Sequence, residues 1–402
     1  MDIKNSETSS LSCQSLVKGV AVGTGTVFAK TGELAPAQAT GDTGRAVITD
    51  HNGIKMNTIK VLAIIALVFF CGISHAAIQH IPTQNGWGGF VVLGAGYTNQ
   101  KSNTVAGNRI MDIGKESIAN INDSPQADDK YHITPTAELK YTFGNQWQAF
   151  LGSSLFDQLT LDFSQQLGIR KQIDNGDRFS AGLLFSGIPR QVWEDPYQTS
   201  TPRNATDRDS QGARIEWDQM FGSGANITLS YRDIEIDEDR IGQDPALGCD
   251  VNCQNALKRD GDFVELEFAW GFRLSPRQAI RPAVRWFKND RDGNAQDNDG
   301  FKALLTWNML GDTYSVIING LYFDKSYDNP NPLYGIKQDS DGFVLNGTAF
   351  YNLTSDGRWR AVGTLTYGDE ESNISFHDTE LFQATLGVYF QFGNQPNRFR
   401  KR

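Results

Sequence analysis

The sequence predicts an all-β protein: a transmembrane antiparallel up-and-down β-barrel of about fourteen strands. Three observations predict it. Apolar and polar residues alternate through segments of roughly ten to thirteen residues, short and long connections alternate between these segments, and an export signal precedes them all. A period of two gives each strand one apolar and one polar face, at a length that suits a tilted membrane crossing. The alternatives are about twelve or sixteen strands, one hairpin fewer or more.

The export signal comes first. Lys60 precedes the apolar run Val61–Ile73, and small residues around Ala76 follow it. This order is typical of a secretory signal peptide cleaved after Ala76, with a buried core helix as the alternative. For the residues upstream, an overextended gene start competes with a genuine disordered extension. The predicted division is 1–55 (upstream, disordered and non-native), 56–76 (signal peptide), 77–392 (barrel) and 393–402 (basic tail).

The alternating segments then follow along the chain. They are approximately 86–99, 131–143, 146–156, 159–172, 177–188, 210–221, 225–237, 261–274, 278–289, 299–310, 313–325, 340–353, 358–369 and 378–392. Turns rich in Gly, Asn and Asp, such as Gly144-Asn145, alternate with long polar loops, except for a short connection near Asp157. Outer-membrane barrels have short periplasmic turns and long outer loops, so an even strand number predicts two periplasmic termini.

The two faces of the strands differ consistently. Leu266, Phe268 and Trp270 share one face of their segment, and Glu265 and Glu267 share the other. A soluble β-sandwich or barrel would bury the apolar face instead. The uniform apolar faces, with Trp and Tyr near strand ends, favour a lipid-facing surface with interfacial aromatic belts.

The polar faces predict a lumen that contains both signs of charge. A set of salt bridges filling a closed interior and a wet channel are both compatible with this pattern. Arg281, Arg285, Arg358 and Arg360 form a candidate basic wall. The full set of lumen candidates is Arg214, Glu216, Arg232, Glu265, Glu267, Arg273, Arg281, Arg285, Lys302, Arg358 and Arg360.

Cys249 and Cys253 form a pair that predicts a disulfide in an exported chain, with a zinc site as the weaker alternative. We expect no cofactor, no metal site and no nucleic-acid partner. We also expect no enzymatic activity, because adjacent residues such as His377 and Asp378 point to opposite faces of a strand and the barrel contains no motif for a nucleophile or phosphate.

The whole pattern resembles an uncharacterised, porin-like family of outer-membrane β-barrel proteins from Gram-negative bacteria. The resemblance rests on the opening Gly86-Trp87-Gly88-Gly89-Phe90 segment, the even hairpins and a last strand that ends in Phe390 and Phe392. It implies recognition of the last strand by barrel-assembly machinery, although the tail adds a second candidate end at Phe399. It implies no activity for any residue.

These features predict a diffusion channel for small hydrophilic solutes, with anions as a candidate class, in the outer membrane. The alternative is a non-conducting surface scaffold whose loops bind envelope components or external partners. A passage for hydrophobic ligands is a third hypothesis. Channels of that kind carry an amino-terminal plug, and the stretch from Ala77 to Gly86 is too short to form one. Outer-membrane lipid and lipopolysaccharide are expected partners. Acidic segments such as Asp233–Asp239 are interpreted as solvated turn residues, with the sharing of divalent cations with anionic lipid as the alternative hypothesis.

Overall fold

A computed structural model describes residues 80–153 and 164–393, which form a closed antiparallel barrel of 14 strands. Three further short strands, β2, β3 and β8, pair at one end of the barrel, and β11 and β12 together make a single barrel strand interrupted at Gly271. The strands are Gly86–Lys101 (β1), Val105–Asn108 (β2), Met111–Asp112 (β3), Ala127–Thr142 (β4), Trp147–Ser153 (β5), Ser164–Gln172 (β6), Arg178–Ser186 (β7), Arg190–Trp193 (β8), Ala205–Asp218 (β9), Ala225–Ile236 (β10), Gly261–Trp270 (β11), Phe272–Ser275 (β12), Gln278–Arg291 (β13), Asn298–Leu310 (β14), Tyr314–Asn331 (β15), Ile336–Asn352 (β16), Trp359–Ser372 (β17) and Thr379–Gly393 (β18). The described residues also contain one α-helix, Val251–Leu257 (α1), and short 3₁₀ turns at Met220–Gly222, Pro245–Leu247, Asn294–Gln296 and Ser375–His377.

The barrel closes between its first and last strands. β1 pairs with β4 on one side and with β18 on the other, where Gly88 lies opposite Gly393. The fold class and the strand number predicted from the alternation are therefore confirmed. β1 begins and β18 ends at the end of the barrel that carries the short turns, which we call the short-turn end; the opposite end is the loop end.

The outward face is apolar. Leu386 is 76% exposed and Leu183 is 61% exposed on this face, where a soluble protein would expose polar residues. Aromatic pairs lie at both ends of the apolar band, with Trp87 against Tyr141 at the short-turn end and Tyr97 against Tyr131 at the loop end. An apolar outward band flanked by aromatic rings is typical of a membrane-spanning barrel, in which such rings lie at the level of the lipid headgroups.

No helix in residues 80–153 and 164–393 is both long enough and apolar enough to cross a membrane.

The predicted strand 210–221 extends further along the chain than the observed strand. The alternation extends it to residue 221, but β9 ends at Asp218 and a 3₁₀ turn follows. The buried carboxylate of Asp177 explains the early end, because it accepts hydrogen bonds from the backbone N–H groups of Phe221 and Gly222 and from Trp217 Nε1. These hydrogen bonds hold the chain in a turn. The turn could not be predicted from the hydrophobicity pattern, which carries no information about hydrogen bonds to a distant carboxylate.

Several strands extend further towards the loop end than predicted. β15 continues to Asn331 and β9 begins at Ala205, in stretches that the sequence assigned to loops. Beyond the lipid both faces of a strand meet polar surroundings, so alternation is lost while backbone pairing continues. The predicted segments 1–55 and 56–76, residues 394–402 of the tail and residues 154–163, with the short connection near Asp157, lie outside the described residues.

Candidate functional site

The lumen is lined by the polar positions of the strands, and its most highly charged part lies on β9 to β14. Glu265 and Glu267 on β11 are buried, as is Arg285 on β13. The pairing register places Arg285 directly opposite Glu267 on one side and Lys302 of β14 on the other. The sequence-predicted lumen residues of these strands therefore meet at one height of the barrel wall.

Ion pairs join these residues across three strands. Arg285 Nε lies 2.5 Å from Glu267 Oε2, and Arg285 Nη1 lies 3.0 Å from Glu265 Oε1. Lys302 Nζ donates to Glu265 Oε2 at 2.8 Å, and Arg281 pairs with the remaining oxygen of Glu267. Every carboxylate oxygen in this cluster thus accepts from a cation, as buried charges require.

The charged wall continues on the other side of β11. On β9, Arg214 Nε donates to Ser230 Oγ of β10 at 2.9 Å, and Glu216 lies in the field of Arg214 and Arg178. Arg232 on β10 is buried. These three predicted lumen residues, Arg214, Glu216 and Arg232, extend the row of charges towards β7.

Four further lumen charges were missed from the sequence, namely Glu138, Lys140, Arg170 and Arg178. Arg178 Nη2 lies 2.6 Å from Asp218 Oδ2. Glu138 on β4 accepts from Lys140 at 2.7 Å and from Arg170 of β6 at 3.1 Å. The alternation of faces along a strand, which we call parity, would have found them, since Glu138 and Lys140 alternate with the outward-facing Leu139.

Three predicted lumen residues lie apart from this network. Arg273 is exposed at the short-turn end, where it donates to the carbonyl oxygens of Ser275 and Pro276. Arg358 precedes β17 in an exposed turn, 3.5 Å from Asp356. Arg360 is half-buried and donates to the carbonyl oxygen of Gly357 at 2.9 Å.

The structure does not bring together the four arginines of the candidate basic wall. Arg281 and Arg285 lie on β13, whereas Arg358 and Arg360 lie in or beside the turn before β17. The three strands β14, β15 and β16 separate the two pairs. Parity assigned a face to each residue, but it carries no information about which distant strands are neighbours.

Between the turns and the loop end, the lumen wall across β14 to β17 carries a neutral stretch. A ladder of amide and hydroxyl groups crosses β14 to β17, with Thr306 donating to Asn319 at 2.8 Å, Asn319 to Asn346 at 3.2 Å and Asn346 to Thr366 at 2.9 Å. Gln383 of β18 donates to Thr98 of β1 at 3.1 Å. The lumen therefore has one highly charged side and one side on which neutral hydrogen-bonding groups predominate, with the Lys325–Glu370 pair nearer the loop end.

At the loop end, the long loops pack into a small apolar cluster, which we call the cap. Its buried members, drawn from different loops, are Tyr197, Ile241, Leu257, Ala295, Ile374 and Phe376. Tyr197 is 0% exposed, and its hydroxyl accepts from Asn331 Nδ2 at 3.2 Å and lies 3.1 Å from His377 Nε2. Tyr334 also joins the loops, because its hydroxyl donates to the carbonyl oxygen of Ile121 at 2.5 Å.

Cys249 and Cys253 are joined by a disulfide, with their Cα atoms 5.3 Å apart. The bond spans the start of α1, whose N-terminus is capped by Asp250 through a hydrogen bond from the Cys253 N–H. Both cysteines pack against the cap. The disulfide therefore shapes one loop and lies away from the lumen charges.

The segment before β1 bends towards the wall of the lumen. The Ile81 N–H donates to Gln172 Oε1 on β6 at 2.8 Å, and His80 Nδ1 lies 2.6 Å from Gln172 Nε2. Ile81 is buried there. These contacts fix the entry of the chain at the short-turn end.

Each histidine of the described residues contacts a neighbouring polar side chain. His132 Nε2 lies 3.4 Å from Gln383 Nε2 on the neutral side of the lumen, and His377 belongs to the cap. Asp378 accepts from the Ser372 N–H, whereas the imidazole of His377 contacts the Tyr197 hydroxyl. Among residues 80–153 and 164–393, no group of three or more His, Cys, Asp or Glu side chains is placed to hold a metal ion.

Comparison with known proteins identifies a family for this chain. DUF2860, described as a protein of unknown function, matches residues 86–391. No curated protein matches the chain significantly.

Among solved structures, the chain is similar to OmpT, an outer membrane protein of Vibrio cholerae (12% identity, 76% of this chain and 98% of that chain, TM-score 0.36). It is also similar to the outer membrane channel DcaP of Acinetobacter baumannii (9% identity, 79% and 100%, TM-score 0.37) and to an anion-selective porin from Comamonas acidovorans (9% identity, 77% and 99%, TM-score 0.35). At these scores the similarity is one of barrel architecture and identifies no solute.

Proposed function

The chain belongs to the DUF2860 family of proteins of unknown function, and we propose that it is a porin-like outer-membrane channel for small hydrophilic solutes, with a preference for anions. The proposal includes an orientation in which the short-turn end and both chain termini face the periplasm and the cap faces outwards. It also includes outer-membrane lipid and lipopolysaccharide as the surroundings of the apolar band, and barrel-assembly machinery as the route of insertion.

The excess of cations on the lumen wall is the observation that carries this proposal. The carboxylates on the charged side of the lumen are Glu138, Glu216, Asp218, Glu265 and Glu267. Lumen cations outnumber them and are Lys140, Arg170, Arg178, Arg214, Arg232, Arg281, Arg285 and Lys302. A cleft of one net sign with low-dielectric walls concentrates ions of the opposite sign.

Water access to these charges supports conduction. The Arg281 side chain is 32% exposed and that of Arg178 is 23% exposed, although both point into the barrel. A lumen packed solid by side chains would leave such groups without access to solvent. Ions passing this row would exchange part of their hydration for contacts with fixed charges.

A second candidate function is the non-conducting scaffold, and the cap favours it. Tyr197, Leu257 and Phe376 are fully buried where loops meet over the loop end. A channel requires these loops to move apart or leave a path beside the cap, whereas a scaffold would present them to an external partner as they stand.

Single-channel recording in planar bilayers decides between the two. We expect steady conductance without added ligand and, under a KCl gradient, a reversal potential that indicates higher permeability to chloride than to potassium. Arg281→Gln should reduce this preference, because Arg281 is the most accessible cation of the ion-pair cluster. Arg277→Gln is the matched control, since Arg277 pairs with Asp312 on the exposed short-turn surface. A silent protein with a native heat-unfolding profile would favour the scaffold.

A further inference from the structure

Two arginines face each other at the loop end of the lumen. Arg190 on β8 is the direct cross-strand partner of Arg208 on β9. Arg208 has the same parity on β9 as the lumen residues Ser210 and Arg214, so both arginines lie on the lumen side of the wall. Like charges placed directly opposite each other destabilise a pair of strands.

Neither arginine is neutralised by a carboxylate. Among residues 80–153 and 164–393, no Asp or Glu forms an ion pair with Arg190 or Arg208, and both side chains are half-buried. Two other arginines at the same end have carboxylate partners: Arg109 pairs with Asp207, and Arg259 lies 2.6 Å from Asp239. The lumen-facing pair has no such partner.

Further cations face the same space. Arg291 at the end of β13 interacts electrostatically with Arg208, and its guanidinium donates only to neutral oxygens, Gly261 O at 3.0 Å and Asn289 Oδ1 at 2.6 Å. From the opposite wall, Glu370 is the carboxylate that interacts with Arg190.

The carboxylate of Glu370 is already engaged by other donors. Lys325 Nζ and Ser340 Oγ each donate to its Oε1 at 2.8 Å. Burial and the charge of Arg208 lower the pKa of Arg190 to about 10. Three arginines and one lysine thus converge on this space. Its carboxylates are Glu370, which Lys325 already engages, and Asp260 and Asp262, which interact electrostatically with Arg291 without forming an ion pair.

We propose that Arg190, Arg208 and Arg291 form a binding site for a small soluble oxyanion, a phosphate or a dicarboxylate, in the lumen beneath the cap. The inference rests on the proposed function in that the site would lie on the solute path and select which anions enter. Guanidinium groups bind such oxygens through paired N–H donors in a planar fork, so each arginine can hold two oxygens of one group. Locally unfavourable arrangements of this kind are expected where a ligand compensates for them.

The position of the site favours a soluble anion over a lipid. Arg190 and Arg208 lie on the inner face of the wall, and Arg291 lies on the same face of β13 as Arg285, while acyl chains would occupy the outer, apolar face. A lipid phosphate would have to leave the bilayer surface and enter the barrel to reach them.

Binding is tested on the purified full-length barrel in detergent, by isothermal titration with inorganic phosphate, succinate, chloride and short-chain phosphatidic acid. We expect phosphate and succinate to bind, and Arg208→Gln and Arg190→Gln each to raise their dissociation constants about tenfold or more. Arg208→Lys, which keeps the charge and loses the fork, should weaken binding by less. Arg277→Gln should leave binding unchanged, since Arg277 lies on the exposed short-turn surface.

Equal affinity in the wild type and in a correctly folded Arg208→Gln protein would overturn the site, as would binding of phosphatidic acid alone or of no oxyanion at all. Conductance separates this result from the proposed function. A silent protein that still binds phosphate through Arg208 retains the site and loses the channel. A conducting protein without oxyanion binding retains the channel and loses the site.

Discussion

Arg285 of β13 lies opposite Glu267 of β11, with its Nε 2.5 Å from Glu267 Oε2, and both side chains are buried in the lumen wall. The same guanidinium also reaches Glu265 at 3.0 Å. One cation therefore serves two carboxylates, and both acids depend on it for part of their charge compensation.

Replacing Arg285 by Gln should destabilise the barrel. Glu265 would keep Lys302 and Glu267 would keep Arg281, but each carboxylate would lose its shared partner in a buried setting. Removing one member of a buried ion pair typically costs about 3–5 kcal/mol, and we expect a loss near the lower value because these partners remain. Urea unfolding in detergent measures it. Arg358→Gln, in an exposed turn, is the control and should change the unfolding free energy by less than about 0.5 kcal/mol.

The neutral side of the lumen should respond differently. Asn346 both accepts from Asn319 and donates to Thr366, so Asn346→Ala leaves two groups of the ladder without that partner. We expect a loss of about 1–3 kcal/mol in unfolding free energy, with no change in the ratio of chloride to potassium permeability, because no charge is altered. A change in that ratio as large as the one expected for Arg281→Gln would mean that selectivity does not reside on the charged side.

The strand count and the lumen face of Glu265, Glu267 and Arg285 could be predicted, because period-two alternation reports directly which side of a sheet meets lipid. The partners of these charges could not. The pairing of Glu267 with Arg285 depends on the register across the β12–β13 turn, where a bulge lies between Arg273 and Ser275. A bulge shifts pairing by one residue and leaves little trace in hydrophobicity.

The cap and the pair formed by Arg190 and Arg208 could not be predicted from the sequence, for a different reason. Tyr197 and Phe376 are isolated aromatic residues in polar loops, and only contacts between distant loops bury them. Arg190 and Arg208 fell within the predicted loop 189–209, where no parity could be assigned. The short strand β8, which brings them together, is held by β2 from another loop.

The disulfide should matter for the cap more than for the barrel. Linking Cys249 and Cys253, which are four residues apart, closes a very small loop, so the chain-entropy stabilisation is about 2 kcal/mol at most. Cys249→Ser with Cys253→Ser should leave the heat-unfolding midpoint of the barrel nearly unchanged and accelerate protease cleavage near α1. Unchanged cleavage would show that the packing of Leu257 of α1 in the cap holds this loop in place without the disulfide.

Substitution of Tyr197 tests whether the cap blocks the path of solutes. It is fully buried against Phe376, with ring centroids 4.9 Å apart, so Tyr197→Ala should cost about 3–5 kcal/mol of cap stability through the cavity left behind. If solutes pass where the cap lies, open probability or conductance in bilayers should rise in this variant. Tyr131→Ala, on the outer surface, is the control, since that ring is 84% exposed. Unchanged conductance with loosened loops would place the solute path beside the cap.

His377 should make the cap sensitive to acid. Burial, and then the charge of Lys325, lower its pKa to about 3, while Glu370 acts in the opposite direction and the phenols of Tyr197 and Tyr334 lie alongside. Because the folded pKa lies below the unfolded value of about 6.5, the closed cap keeps its full stability above that pH. As the pH falls from about 6.5 towards 3, the stability decreases by up to about 1.4 kcal/mol per unit.

Hydrogen exchange of the loops around Tyr197 and Phe376, corrected for intrinsic rates, should therefore accelerate between pH 7 and pH 5 in the wild type. In His377→Gln this acceleration should largely disappear, because Gln offers the Tyr197 hydroxyl an acceptor that does not titrate. His80→Gln is the control, since His80 lies at the short-turn end beside Gln172. If His377→Gln accelerates as much as the wild type, the acid response belongs to the carboxylates of the loops, and the neutral imidazole at Tyr197 is only a packing partner.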